Sequence, residues 1–400
     1  MLCRRLQGVD LPKLASQASM EEQEERQLPE SALMRAIFNF TPSWFSIIMG
    51  TGILSILLHS SQHRFPGEAI IGTVLYFINI LMFFVFTVIS LARCVLFPWA
   101  FLRLLHHPAQ SLFLGCVPMG LATIVNATVI IAVPKYGAWA GNLCWALWWV
   151  DVILTVLCVL VLPVVMFQVH VISLNTMTAA WLLPIVPAVV CAACGGWVAS
   201  AVSEQRALIT LTVSYVLWGL GMSMSLLVMA LYFHRLAIHQ LPNSEVIVSA
   251  FLPLGPCGQG AFGLIQLAKV ARNIFDKLSF AGVASSGEIV IVISLLGGLM
   301  IWGLGLWWLI HGTSCLAIRM LQSRLRLKFN MGFWGLIFPL GVFVSATTSL
   351  GQEMKSQFFA YLSNALLGCL VILYIFVSFY TISKAAFGDL LVAPCMADLK

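Results

Sequence analysis

In the central parts of its long apolar stretches this chain has one acid, Asp151 in "WWVDVIL", and no lysine or arginine. An acid inside a membrane helix is a candidate proton relay by default; the other reading is a carboxyl hydrogen-bonded to a neighbouring helix. Cys191 and Cys194 form a CxxC whose neighbours are small and apolar, which suits helix packing better than redox chemistry. The histidines His59, His106, His107, His170, His234, His239 and His311 lie near the ends of apolar stretches, and none pairs with acids or cysteines at metal spacing. They read as interfacial anchors, and neither a metal nor another cofactor is expected. A membrane-embedded enzyme, working through Asp151 and a histidine, is the reading from a different class. No His or acid pair falls at i, i+4 on one stretch to support it. The remaining chemistry is neutral: the donors and acceptors of Ser46, Thr51, Thr123, Asn126, Gln259, Ser345, Thr347 and Thr348.

A second set of residues recurs with a fixed spacing. An aromatic is followed five places on by Pro or Gly, and two places later by Gly. The instances are Phe45, Gly50, Gly52; Phe113, Pro118, Gly120; Phe251, Pro256, Gly258; and Trp334, Pro339, Gly341. A fifth copy departs from the pattern, with Leu182, Pro187 and Val189 and an additional Pro184. Positions 50, 118, 187, 256 and 339 are separated by 68, 69, 69 and 83 residues. A period near 69 held three times is an internal repeat.

The elements that carry these residues follow from composition. Of 400 residues, 60% are hydrophobic and 9% charged, with mean hydropathy +0.98. A soluble domain averages about 25% charged residues, so the solvent for this surface must be lipid. Ten apolar spans are predicted, near 44–60, 69–92, 111–133, 138–168, 179–201, 207–233, 246–268, 288–311, 332–352 and 356–381. They leave a polar N-terminal tail over 1–43, containing "EEQEER", and a C-terminal tail over 382–400. The tail side carries fourteen Lys and Arg against seven on the other, which places both tails in the cytosol. Lys269, Arg272 and Lys277 narrow that margin. The eleven cysteines are scattered and form no disulfide framework.

Two spans per repeat make every unit enter the membrane in the same direction, so the units are related by an axis along the membrane normal. The expected architecture is all-α: ten helices as five parallel hairpins in a pseudo-five-fold ring. Broken backbone is tolerated only in protein or beside a wet cavity, so the odd spans should face the axis and the even spans the lipid. Gly50, Gly52, Pro118, Gly120, Pro184, Pro187, Pro256, Gly258, Pro339 and Gly341 then mark pore-lining helix breaks, although Gly and Pro also serve tight packing. A mid-helix break exposes N–H groups that favour anions and carbonyls that favour cations. The net charge of +6 and the run Arg319, Arg324, Arg326, Lys328, with Arg103 at the same mouth, tilt the choice to anions. Topology alone also accounts for that run. Asp151 falls on an even span, away from the axis, which favours its structural role.

The segments "FTPSWFSIIMGTGILS" (40–55), "LGPCGQGAFG" (254–263) and "FWGLIFPLGVFVSAT" (333–347) resemble the tellurite-resistance/dicarboxylate transporter family, over about 38–385. The first two are more similar to its sulfite-exporting branch than to its malate branch. The resemblance implies ten helices as five hairpins around a pore, a homotrimer and anion passage. It also implies a gate, a phenylalanine of the ninth helix, which falls by position on Phe338. The residues preceding each break are Met49, Val117, Val186, Gly255 and Phe338, and only Phe338 is aromatic. The alternative is an ordinary packed phenylalanine. The expectation is export of sulfite or hydrogen sulfite across the plasma membrane through a mostly uncharged pore. Its partners would be that anion, the bilayer and two further copies, with no nucleic acid. A malate-type dicarboxylate carrier is the alternative, and it should need a fixed cation in the pore. Proton coupling is left open.

Overall fold

A computed structural model describes residues 31–60, 66–170, 172–278, 282–322, 328–388 and 390–399, and every regular element among them is helical. Arg324 and Arg326 lie outside the described residues, as does nearly all of the N-terminal tail. The α-helices are α1 (Ala32–Asn39), α2 (Phe45–Ser60), α3 (Glu68–Leu96), α4 (Pro98–His106), α5 (Cys116–Ile131), α6 (Val133–Tyr136), α7 (Ala138–Val169), α8 (Val186–Ala199), α9 (Glu204–His239), α10 (Leu254–Leu278), α11 (Ser286–Gln322), α12 (Trp334–Glu353) and α13 (Gln357–Ala386).

Two populations alternate along the chain. Helices α3, α7, α9, α11 and α13 have 29 to 37 residues and expose large apolar side chains such as Phe84, Phe167 and Met300. Helices α2, α5, α8, α10 and α12 have 14 to 25 residues and are buried almost throughout. Each short helix packs on the long one that follows it, apart from the one-turn α6 between α5 and α7. Among the short ones, α2 packs on α5 and α12, α5 on α8, α8 on α10, and α10 on α12.

Among the described residues nine segments are long and apolar enough to cross a membrane; α8, with 14 residues, is shorter. At 1.5 Å per residue α8 covers about 21 Å, against about 30 Å for a hydrocarbon core. Pro184 and Pro187 are the cause. They confine the preceding stretch to a 3₁₀ turn over Ala179–Leu182 followed by a turn closed by Ile185 N donating to the Leu182 carbonyl (3.0 Å), so the α-helix starts late. Protein surrounds α8, so its irregular entry meets no lipid.

Every inner helix is entered in the same way. A 3₁₀ turn precedes each one: Pro42–Trp44, Ser111–Gly115, Ala179–Leu182, Ile247–Phe251 and Met331–Phe333. Pro118, Pro187 and Pro256 then occupy the first turn of their α-helices, where the missing N–H has no intrahelical partner to lose. The expected mid-helix breaks are thus helix starts. Pro339 sits inside α12, which continues through it, and α2 continues through Gly50 and Gly52.

Both ends of the described chain meet at the side where the inner helices begin. Arg93, buried at the end of α3, donates from Nε to the Phe38 carbonyl (3.0 Å), and its Nη2 lies 3.9 Å from Cys395 Sγ. Ala393 N donates to Asn39 Oδ1 (3.3 Å), and Phe38 packs on Phe97 and Trp99.

Candidate functional site: two facing vestibules

Two cavities lie at opposite ends of the inner helices. The first, about 1030 Å³, takes Ser46 and Met49 from α2, Cys116 and Met119 from α5, Val186 from α8, Gly255 from α10, and Phe338 and Pro339 from α12. The second, about 560 Å³, takes Ile56 and Leu57, Val129 and Ile130, Trp197, Phe262 and Gln266, and Ser345 and Thr348 from the same five helices in order. No residue borders both cavities. On α12 the barrier runs from Pro339 to Ser345, about 9 Å of helix.

Phe338 stands on the first-vestibule side of that barrier and is buried, at 3% exposure. Gly255 carries no side chain, and a methyl there would be 3.8 Å from Pro339 Cγ, at ordinary contact. Of the four other positions aligned with Phe338 by the repeat, Met49, Val186 and Gly255 also border the first cavity; Val117 does not, and Cys116 and Met119 represent its helix.

The glycines of the repeat sit at seams between helices. A methyl on Gly50 would lie 2.7 Å from the Trp334 ring, one on Gly341 2.7 Å from Ile53, and one on Gly120 3.2 Å from Ile48. On Gly52 it would meet Thr123 Oγ1 at 2.2 Å, and on Gly258 the backbone nitrogen of Phe343 at 2.6 Å. These absent side chains let side chains of the neighbouring helix, and at Gly258 its backbone, close onto the glycine, as small residues do in membrane packing.

The neutral polar residues divide. Ser46 borders the first cavity and donates to the Ser43 carbonyl (2.6 Å). Ser345 and Thr348 border the second. Thr51 bonds Tyr374 of α13 (3.1 Å), and Thr347 accepts from Trp302 Nε1 of α11 (2.9 Å), so these two hydroxyls tie inner helices to outer ones. Thr123 donates to the Gly120 carbonyl (2.8 Å) beside Gly52. Asn126 and Gln259 are buried and border neither cavity.

Asp151 borders neither cavity. It is fully buried on α7 beside Cys191 of α8, and neither carboxylate oxygen has a hydrogen-bond partner of good geometry. Pro184 lies in the turn before α8. No group of three or more His, Cys, Asp or Glu among the described residues could hold a metal.

The basic residues also separate. Arg103 lies over the Trp99 ring at 5.4 Å. Arg319 binds the carbonyls of Leu241 (2.6 Å) and Pro242 (3.0 Å), fixing a loop that borders the first cavity. Among the described residues the Lys or Arg in the wall itself is Arg235, which is 4% exposed. Sequence reasoning counts Arg235 only as a topological charge at the end of the sixth span. Its burial depends partly on Asn175, sixty residues away in sequence, so no local signal marks it. On the other side Lys269, Arg272 and Lys277 pair with Glu353 (2.9 Å), Glu288 and Glu204 (3.1 Å).

Comparison with known proteins agrees with this geometry. The model of the voltage-dependent anion channel family matches residues 39–382. Proteins named sulfite efflux pump from Arthroderma benhamiae and from Trichophyton rubrum are each 43% identical over 356 residues, 89% of this chain and 93% of theirs. A malic acid transport protein of Schizosaccharomyces pombe is 27% identical over 335 residues, 83% of this chain and 75% of its own. With buried short helices inside, lipid-ready long ones outside and a family match across nearly the whole helical part, the chain belongs to the voltage-dependent anion channel family.

Proposed function

We propose that this protein exports sulfite or hydrogen sulfite through a pore enclosed by α2, α5, α8, α10 and α12, with Phe338 as its closure. The observation that carries the reading is the pair of facing vestibules, each walled by all five inner helices and separated by a barrier that starts at Phe338. The packing order α2, α5, α8, α10, α12 and back to α2 supports a ring of five hairpins with α8 as part of a tenth crossing. The barrier segment of α12, Leu340–Val344, is uncharged, and an uncharged constriction can gate by excluding water. An ion that meets only weak partners there leaves as readily as it enters, which suits turnover.

The substrate follows from the relatives named sulfite efflux pump, at 43% identity. The excess of Lys and Arg on the side of both tails supports cytosolic termini and a first vestibule open to the cytosol. We assign the protein to the plasma membrane as a homotrimer with one pore per protomer. Dicarboxylate transport has two observations in its favour: Arg235 is a fixed cation in the first vestibule, and a malic acid transport protein is among the relatives. Flux measured in proteoliposomes with sulfite, malate and chloride at two pH values decides. Sulfite flux exceeding malate flux is expected; malate flux with no sulfite flux overturns the proposal.

A further inference from the structure

Two hydrogen-bond donors in the wall of the first vestibule are buried with no acceptor in good geometry, and a third stands behind them. Arg235 Nη1 donates to the Gln240 carbonyl and Nη2 to the Asn175 carbonyl (3.0 Å), but Nε is buried without a partner. No carboxylate pairs with this guanidinium among the described residues. The two carbonyls aim the group without cancelling its charge. Ser249, in the 3₁₀ turn that enters α10, also borders the cavity, and its Oγ is buried with no partner. The hydroxyl of Tyr232, which does not border the cavity, lies within reach of Ser249, although neither hydroxyl has a partner of good geometry. Tyr232 and Arg235 are three residues apart on α9, hence on one face. Tyr232 is held there by its ring, stacked on Trp308 at 6.0 Å between centroids.

An unpaired buried charge and unmet donors are costly in a resting wall, and they become an asset only when an acceptor-rich anion arrives. We propose that Arg235, Ser249 and Tyr232 form a receiving site for a small oxyanion, upstream of the Phe338 barrier; this rests on the export reading above. Arg235 supplies charge and a directed Nε–H, and Ser249 supplies an O–H. Tyr232 backs Ser249, so that the serine hydroxyl can turn towards the cavity. Three acceptor oxygens on one centre match this donor set better than a bare halide does, because guanidinium and hydroxyl donors are directional. The site selects and concentrates its ion before the barrier, while the barrier sets the rate of passage.

The test uses the full chain in two arms. In proteoliposomes, Arg235→Gln should raise the sulfite concentration for half-maximal flux about tenfold or more, with the maximal rate little changed. Arg235→Lys should fall between Gln and wild type, and Ser249→Ala with Tyr232→Phe should raise it by about threefold to tenfold. In detergent, sulfite and sulfate should raise the thermal midpoint of the wild type more than chloride does, and the variants should lose that difference. Arg235 also holds two loop carbonyls, so Arg235→Gln can fail to fold. The Ser249→Ala, Tyr232→Phe double variant removes neither bond and then carries the test. Unchanged half-saturation and an unchanged oxyanion shift in that variant overturn the site. Wild-type vesicles that pass no sulfite would defeat the export reading alone, because the thermal arm still reports on the site.

Discussion

Gly258 and Gly303 look alike in the sequence, each a glycine in a long apolar stretch. On the inner helix α10, a methyl at Gly258 would be driven to 2.6 Å from the Phe343 backbone nitrogen. On the outer helix α11, a methyl at Gly303 meets nothing within 4 Å. The same contrast runs through the two helix populations. Inner helices are packed by protein on all sides, so their small residues set interhelical distance. Outer helices pack on one face only: a methyl on Gly305 of α11 would lie 2.9 Å from the Phe343 ring, while Met300 is 77% exposed. Apolar composition alone therefore says little about what a residue does here, since lipid and protein interior are equally apolar solvents.

Substitutions can break or sharpen this contrast. Gly258→Val should cost about 3 kcal/mol or more, because backbone cannot yield as a side chain does; loss of the monodisperse peak in size-exclusion chromatography measures it. A folded Gly258→Val protein would undo the account of the inner seams. Phe338→Ala should increase anion conductance several-fold at equal surface expression, and unchanged or lower conductance rejects Phe338 as the closure. Trp302→Phe removes the bond to Thr347 and should lower stability by about 1 kcal/mol, read as a lower thermal midpoint. Asp151→Asn should leave the pH profile of transport unaltered, since Asp151 borders neither vestibule; loss of pH dependence in a well-expressed variant would make it a proton relay. Gly303→Ala, the smallest change, should stay within about 0.5 kcal/mol of wild type.

Much of the plan was legible in the sequence because proline and glycine report on backbone directly. The positions spaced near 69 apart fall one in each of the five short helices. Their manner of starting was hidden: a proline in a first turn and a proline that breaks a span read the same, and only the 3₁₀ turns before α5, α8 and α10 tell them apart. Side-chain direction was hidden too. Thr51 and Ser46 are five residues apart on α2, yet one hydroxyl binds an outer helix and the other borders a vestibule. Helix rotation decides that, and an almost uniformly apolar helix gives no amphipathic stripe from which to read it. Arg235 was concealed for a different reason, because Asn175 and Gln240, whose carbonyls enclose it, come from separate loops.

Leu390, Val392 and Pro394 form part of the first cavity's wall, and the Arg93 and Asn39 contacts fasten that segment to the Phe38–Asn39 end of α1. A nascent polypeptide therefore has no finished wall around the first cavity until residues 390–394 have been made. Whatever assembles earlier in the bilayer is a bundle whose entrance is still missing one side, and an early stop upstream of Leu390 would yield a protein defective at its doorway and intact in its trunk.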